Sequence, residues 1–182
     1  MIVLASGSPR RKEILEKIGV RFVSHPVDVD ETLPNGIEAE KASEYLALKK
    51  AAAALSDHPN DIVIGADTTV VIGGKILGKP SSCADAREML LCLSGNCHTV
   101  YTGVCVMKKD RKRLFTSAAK VYFTKLSEEE IADYIATGEP MDKAGAYGIQ
   151  GYGCRFVERI EGDFYTVMGL PAAKTYKALK TF

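Results

Sequence analysis

The sequence predicts an α/β fold, in which a mixed β-sheet is flanked by helices and two lobes meet at a central cleft. Three observations carry this. Apolar β-branched runs alternate with helical patterns in the first half of the chain. Hairpin signals take over in the middle. The composition is that of an ordinary globular protein: 182 residues, 46% hydrophobic and 26% charged, long enough for a sizeable core and read as one domain over 1–182.

A strand at 2–5 opens the chain. Ser6-Gly7 then leads to a helix near 9–18, with Ser8 as cap, Pro9 in the first turn, Ile14, Leu15 and Ile18 on one face and Gly19 as its stop. Val20 to Val29 reads as extended, and an alanine-rich helix follows near 38–55. The run Ile62-Val63-Ile64-Gly65-Ala66 is apolar and β-branched, the pattern of a buried central strand ending at 66. Gly73-Gly74, between Val70-Val71-Ile72 and Lys75-Ile76-Leu77, predicts a hairpin. A helix near 83–93 ends at Ser94-Gly95. Two longer β segments, near 97–107 and 114–124, surround a basic turn from Lys108 to Arg113, expected to cap a solvated hairpin. Ser127 and Glu130 form a capping box, and Gly138 closes that helix. A glycine-rich stretch at 145–153, a strand near 154–160 and a helix near 171–180 complete the pattern.

The bulk numbers exclude several classes. A formal net charge of +1 gives no global field to recruit nucleic acid or an anionic membrane. No apolar run approaches the roughly 20 residues needed to span a bilayer. A strand beginning at residue 2 leaves no room for a signal peptide. Cys83, Cys92, Cys97, Cys105 and Cys154 are odd in number and lack CxxC spacing, so they read as free thiols in a reducing cytoplasm. A cytoplasmic location is therefore expected, without nucleic-acid or membrane partners. His25, His58 and His98 are scattered and read as surface or packing residues.

Local clustering must then carry any chemistry. The first turn of the helix after Ser8 holds Arg10, Arg11 and Lys12, where the helix dipole is already positive. Free N–H groups, that dipole and two arginines make an anion site suited to phosphate. Asp67 follows the run 62–66, at the strand end where α/β sheets place ligands; it can accept a proton from water, hold a cation, or simply bond its own turn. Asp28, Asp30 and Glu31 form an acidic cluster that beside a triphosphate would bring Mg²⁺ or Mn²⁺. Lys50 and Lys79 can reach phosphate or snorkel on the surface. The dense small residues around Gly145 to Gly151 let a backbone approach a ligand, where Gln150 can pair with a base edge.

Taken together, these segments resemble the Maf family of nucleoside triphosphate pyrophosphatases. The resemblance runs in order through Leu4 to Arg11, Gly65 to Thr68, Gly78-Lys79-Pro80, Leu93-Ser94-Gly95, Asp142 to Gln150 and Val167 to Pro171. It implies an elongated, Maf/ITPase-like α/β fold and hydrolysis between the α- and β-phosphates, with a divalent metal (Mg²⁺ or Mn²⁺), in a cytoplasmic and often dimeric enzyme. Asp67 matches the proton acceptor; Ser6, Arg10, Lys50 and Lys79 match other active-site positions, with Arg11 beside them. The acidic member matches Glu31 or Asp30, which with Asp67 would hold the metal. Arg10, Thr68 and Gln150 match the branch acting on dTTP and UTP, which also accepts some modified pyrimidine triphosphates. They differ from the branch resembling 7-methyl-GTP pyrophosphatases, which has tryptophan, glutamine and glutamate there. A nucleotidyltransferase and a non-catalytic nucleotide-binding regulator of septum formation are the rival readings.

Overall fold

The computed structural model describes residues 1–182. Strand β1 (Ile2–Leu4) passes through Ser6-Gly7 into helix α1 (Pro9–Lys17), followed by the two-residue strand β2 (Val23–Ser24) and the long helix α2 (Ala39–Asp57). Strand β3 (Ile62–Ile72) turns into β4 (Lys75–Leu77), then come α3 (Cys83–Leu93), β5 (Cys97–Lys108), β6 (Arg111–Phe123) and α4 (Glu128–Ala136). Short 3₁₀ turns lead to β7 (Val157–Gly162), α5 (Phe164–Met168) and α6 (Ala172–Leu179). No helix is long and apolar enough to cross a membrane.

One mixed sheet runs in the order β2-β1-β3-β5-β6-β7, with β4 added to β3. The β1–β2 and β1–β3 pairs are parallel and the rest antiparallel. The register around β3 places the site. Strand β5 pairs with one side of β3 from Val63 to Val71. On the other side β1 covers Ile62 to Ile64 and β4 covers Val70 to Ile72. Residues 65–69 are left without a strand on that side, and there the sheet opens into a cleft.

The core divides accordingly. Near β1, Leu4, Ile14, Leu15, Ile64 and Val104 pack on one face, and Val3, Ala47, Ala51, Val63 and Cys105 on the other. Beyond the cleft, a larger cluster joins the far half of β3 to α3, α4 and an aromatic group that includes Phe123, Tyr134, Tyr147 and Phe156. These are the two lobes, and β3 spans both.

Helix α2 lies unusually close to the sheet. A Cβ on Gly65 would come within 2.3 Å of the Ala47 carbonyl oxygen, and one on Gly103 within 2.4 Å of the Ser43–Glu44 backbone. The alanine-rich face is thus a packing surface, and it fixes the height of α2 above β3.

Several sequence expectations need correction. The run 62–66 is only the first half of β3, so Asp67 lies in mid-strand rather than at a strand end. The gap in pairing, not the end of the strand, gives it access. Val20 to Val29 contributes only two strand residues. The basic segment 108–113 is mostly strand, with the turn confined to Lys109-Asp110; Arg111 bonds the Thr181 carbonyl. The strand expected at 154–160 begins at Val157, because Tyr152 to Phe156 forms a 3₁₀ turn. Helix α5 carries no signal in the periodicity, being only one turn and a half long. The Ser127–Glu130 capping box is present as expected.

Candidate active site

A cleft of about 700 Å³ fills the gap in the sheet. The end of β1 and the start of α1 form one rim, and Gly78-Lys79 after β4 the other; α2 and β3 make one wall, and the segment from Asp142 to Ile149 faces it.

Asp67 sits on the cleft floor, only 8% exposed. The Lys50 ammonium donates to Asp67 Oδ1 at 2.6 Å and lies 2.7 Å from Glu31 Oε1. This geometry follows from the glycine contacts: with α2 seated on Gly65 and Gly103, Lys50 reaches β3 one turn from Ala47. Burial pushes the Asp67 carboxyl above its ordinary range, against the pull of Lys50 and Arg11. The hydrogen bond from Lys50 holds Glu31 below its usual value. Asp30 faces elsewhere: its carboxylate accepts from the Thr32 amide at 2.9 Å and pairs with Lys49. Of the two acids the sequence left open, Glu31 lines the cleft and Asp30 does not.

The two arginines part company. Arg11 donates to Ser6 Oγ at 3.1 Å, Thr68 Oγ1 at 3.2 Å and the Gly169 carbonyl at 2.9 Å. Thr102 Oγ1 lies 2.9 Å from Thr68 and donates to the Thr166 carbonyl. Arg11 therefore ties α1 to β3 and α5 while still lining the cleft, with three of its five N–H donors engaged by the protein. Arg10 lines the cleft and has no ion-pair or hydrogen-bond partner from its side chain. Lys79 is likewise exposed and unpaired on the opposite rim. Ser6 Oγ accepts from the Ser8 amide at 3.2 Å, and Ser8 makes no side-chain cap, so the first turn of α1 keeps its N–H groups for an anion.

The glycine-rich segment divides. Gly148 lines the cleft beside Lys143 and Gly145 packs on Val70, whereas Gly151 and Gly153 accommodate Glu139 and Tyr134. A Cβ on Gly151 would stand 2.1 Å from Glu139 Oε2, and one on Gly153 would stand 2.8 Å from the Tyr134 hydroxyl. Glu139 accepts from the Tyr134 hydroxyl at 2.8 Å and from the Tyr152 and Gly153 amides. Behind it, Tyr147 meets His98 Nε2 at 2.8 Å, and burial drives the His98 ring down to about 4. Gln150 lies outside the cleft, exposed, its amide donating to Glu13 at 3.1 Å. Thr68 stays at the cleft edge, held by Arg11. Thr102 and Glu139 are site-shaping residues with no local signal to single them out, since neither sits in a motif.

The chain matches the model described as Maf-like protein over residues 1–182. It belongs to the Maf-like protein family. Relatives include the dTTP/UTP pyrophosphatase of Shouchella clausii (strain KSM-K16), 49% identical over 99% of this chain and 94% of the relative. Another is the dTTP/UTP pyrophosphatase of Geobacillus sp. (strain WCH70), 50% identical over 98% of this chain and 96% of the relative. Among solved structures, the Staphylococcus aureus Ham1 protein aligns with a TM-score of 0.49 and 19% identity, covering 67% of this chain and 71% of that one.

Proposed function

We propose that this Maf-like protein is a nucleoside triphosphate pyrophosphatase that hydrolyses dTTP and UTP to the monophosphate and pyrophosphate. The observation that carries the chemistry is the pairing of a buried Asp67 with two unpartnered cations, Arg10 and Lys79, across one cleft. The identity of the base rests on the relatives at about half identity.

The α1 N-terminus and Arg10 receive the phosphate chain, and Lys79 neutralises it from the other rim. Arg11 keeps that helix start in place from behind. Asp67 accepts the proton of the water that attacks the scissile phosphorus, and pyrophosphate leaves as the phosphoanhydride bond breaks. Its raised affinity for protons suits a base, because a carboxylate of ordinary acidity takes protons poorly at neutral pH.

No three His, Cys, Asp or Glu side chains converge to hold a metal by themselves. Glu31 and Asp67 nevertheless fit Mg²⁺ or Mn²⁺, since these ions are commonly held by one or two carboxylates, with water and substrate phosphates completing the shell. Such an ion, when bound, would neutralise charge developing on the phosphate oxygens.

The test is a panel of nucleoside triphosphates assayed for pyrophosphate with Mg²⁺ or Mn²⁺. Fastest release is expected from dTTP and UTP. Equal release from purine triphosphates would overturn the substrate assignment, and orthophosphate as the product would overturn the reaction.

A further inference from the structure

Five cations line the cleft, and they are not equivalent. Arg10 and Lys79 have no partner, whereas the Lys50 ammonium lies between two carboxylates, 2.6 Å from Asp67 and 2.7 Å from Glu31. The Lys50 and Asp67 side chains are 13% and 12% exposed and Glu31 is 57% exposed, so the charge is sheltered from water on its Asp67 side. The lysine backbone is held in place by its helix, whose Ala47, Ala51 and Ala54 are fully buried against the sheet. Only the flexible four-carbon stem can move the charge.

The space between the two carboxylates is also where Glu31 and Asp67 would hold a divalent ion, whose oxygen ligands lie at about 2.0–2.1 Å for Mg²⁺. An ammonium and a divalent cation on the same oxygen pair repel each other strongly where water is scarce. On that oxygen pair the two compete. A nucleotide shifts the balance, since its phosphates, held by Arg10 and Lys79, offer the ammonium new anionic partners a short swing into the cleft.

We propose that Lys50 is a built-in counter-ion that keeps the Glu31–Asp67 pair closed to metal until a nucleoside triphosphate enters. It then swings from the carboxylates to the phosphates as the metal takes its place. The proposal rests on the metal-holding role given above to Glu31 and Asp67. It assigns Lys50 two positions, one in the empty protein and one in the complex. It also sets an order: the free protein binds divalent ions weakly, and the metal enters with the substrate.

Mn²⁺ binding, read from the loss of the free-ion electron paramagnetic resonance signal at pH 8, tests this without turnover. Wild type, Lys50→Gln, Lys50→Met and the double variant Lys50→Gln/Glu31→Gln are compared, each with and without a dTTP analogue carrying a methylene bridge between the α- and β-phosphorus. Retained far-ultraviolet circular dichroism and a cooperative melt establish folding, and Lys50→Met provides a second route if Lys50→Gln fails this check. In the absence of nucleotide, each single variant is expected to bind Mn²⁺ at least 10-fold more tightly than wild type. The double variant should lose that gain. With the analogue, the wild type should bind tightly and the difference from Lys50→Gln should shrink. Unchanged or weaker Mn²⁺ binding by the single variants without nucleotide overturns the counter-ion role, while tight binding by the wild-type complex would leave the metal reading intact. Absence of Mn²⁺ binding even with the analogue, together with pyrophosphate release in excess chelator, overturns both.

Discussion

The two walls of the cleft are built on opposite principles. The α2–β3 wall is backbone pressed on backbone, with Gly65 and Gly103 leaving no room for a side chain. The facing wall, from Glu139 to Gly153, is held by side chains: Glu139 gathers a phenol and two amides, and His98 meets Tyr147 inside an aromatic cluster. The first arrangement is steric and independent of pH. The second depends on hydrogen bonds and on the charge state of its members. The acid–base chemistry proposed for Asp67 belongs to the rigid wall, which fixes the backbones of Asp67 and Lys50, while the polar wall closes the opposite side.

The largest effect should come from removing the chemistry while leaving the rigid wall in place. Asp67→Asn is expected to lower kcat about 1,000-fold with the melting transition retained; turnover near wild type would show that the carboxylate is not the base. Next in size is an assault on the wall itself. Gly103→Val should destabilise by about 3 kcal/mol or more in denaturant titration, because a side chain there overlaps the α2 backbone. A loss below about 1 kcal/mol would mean that α2 can lift, and the contrast between the walls would fail.

The polar wall should respond to acid. The His98 ring is held neutral down to about pH 4 in the folded protein, whereas an unfolded histidine protonates near 6.5. The unfolded state therefore binds the extra proton, and stability falls as pH drops from about 6.5 to about 4, by up to roughly 3 kcal/mol. His98→Phe should flatten that part of the stability-against-pH curve, measured by chemical denaturation. An unaltered slope would remove His98 from the account. Smallest is Glu139→Gln, which keeps one acceptor oxygen and should cost about 1–2 kcal/mol. It should raise KM more than it lowers kcat, since Glu139 shapes the wall without meeting Asp67. An equal loss in kcat would merge the two walls into one functional unit.

Much of the cleft was legible because its signals are local. Ser8-Pro9 starts a helix wherever it stands before an amphipathic run, and Arg10 on that first turn is an anion-binding candidate by the helix dipole alone. The Gly73-Gly74 hairpin and the Ser127–Glu130 box are likewise properties of a few adjacent residues. Choices between neighbours were not legible. Arg10 and Arg11 are identical in type and adjacent, and only the arrival of Gly169, from 158 residues away, makes one a clamp and leaves the other free. Asp30 and Glu31 are adjacent carboxylates, and which lysine of α2 each meets separates them.

The sequence by itself determined the alternation of strands and helices, the caps and turns, and the pool of charged residues from which a phosphate site could be drawn. Those depend on interactions within a few residues of each other. Tertiary structure alone decided that Asp67 is reached through a gap between β1 and β4 in mid-strand. It also decided that Gly151 and Gly153 make room for Glu139 and Tyr134, and that Gln150 faces Glu13. Each of these outcomes depends on which distant segment fills the space beside a residue, and that is set by sheet register and by the height of α2, which no local pattern encodes.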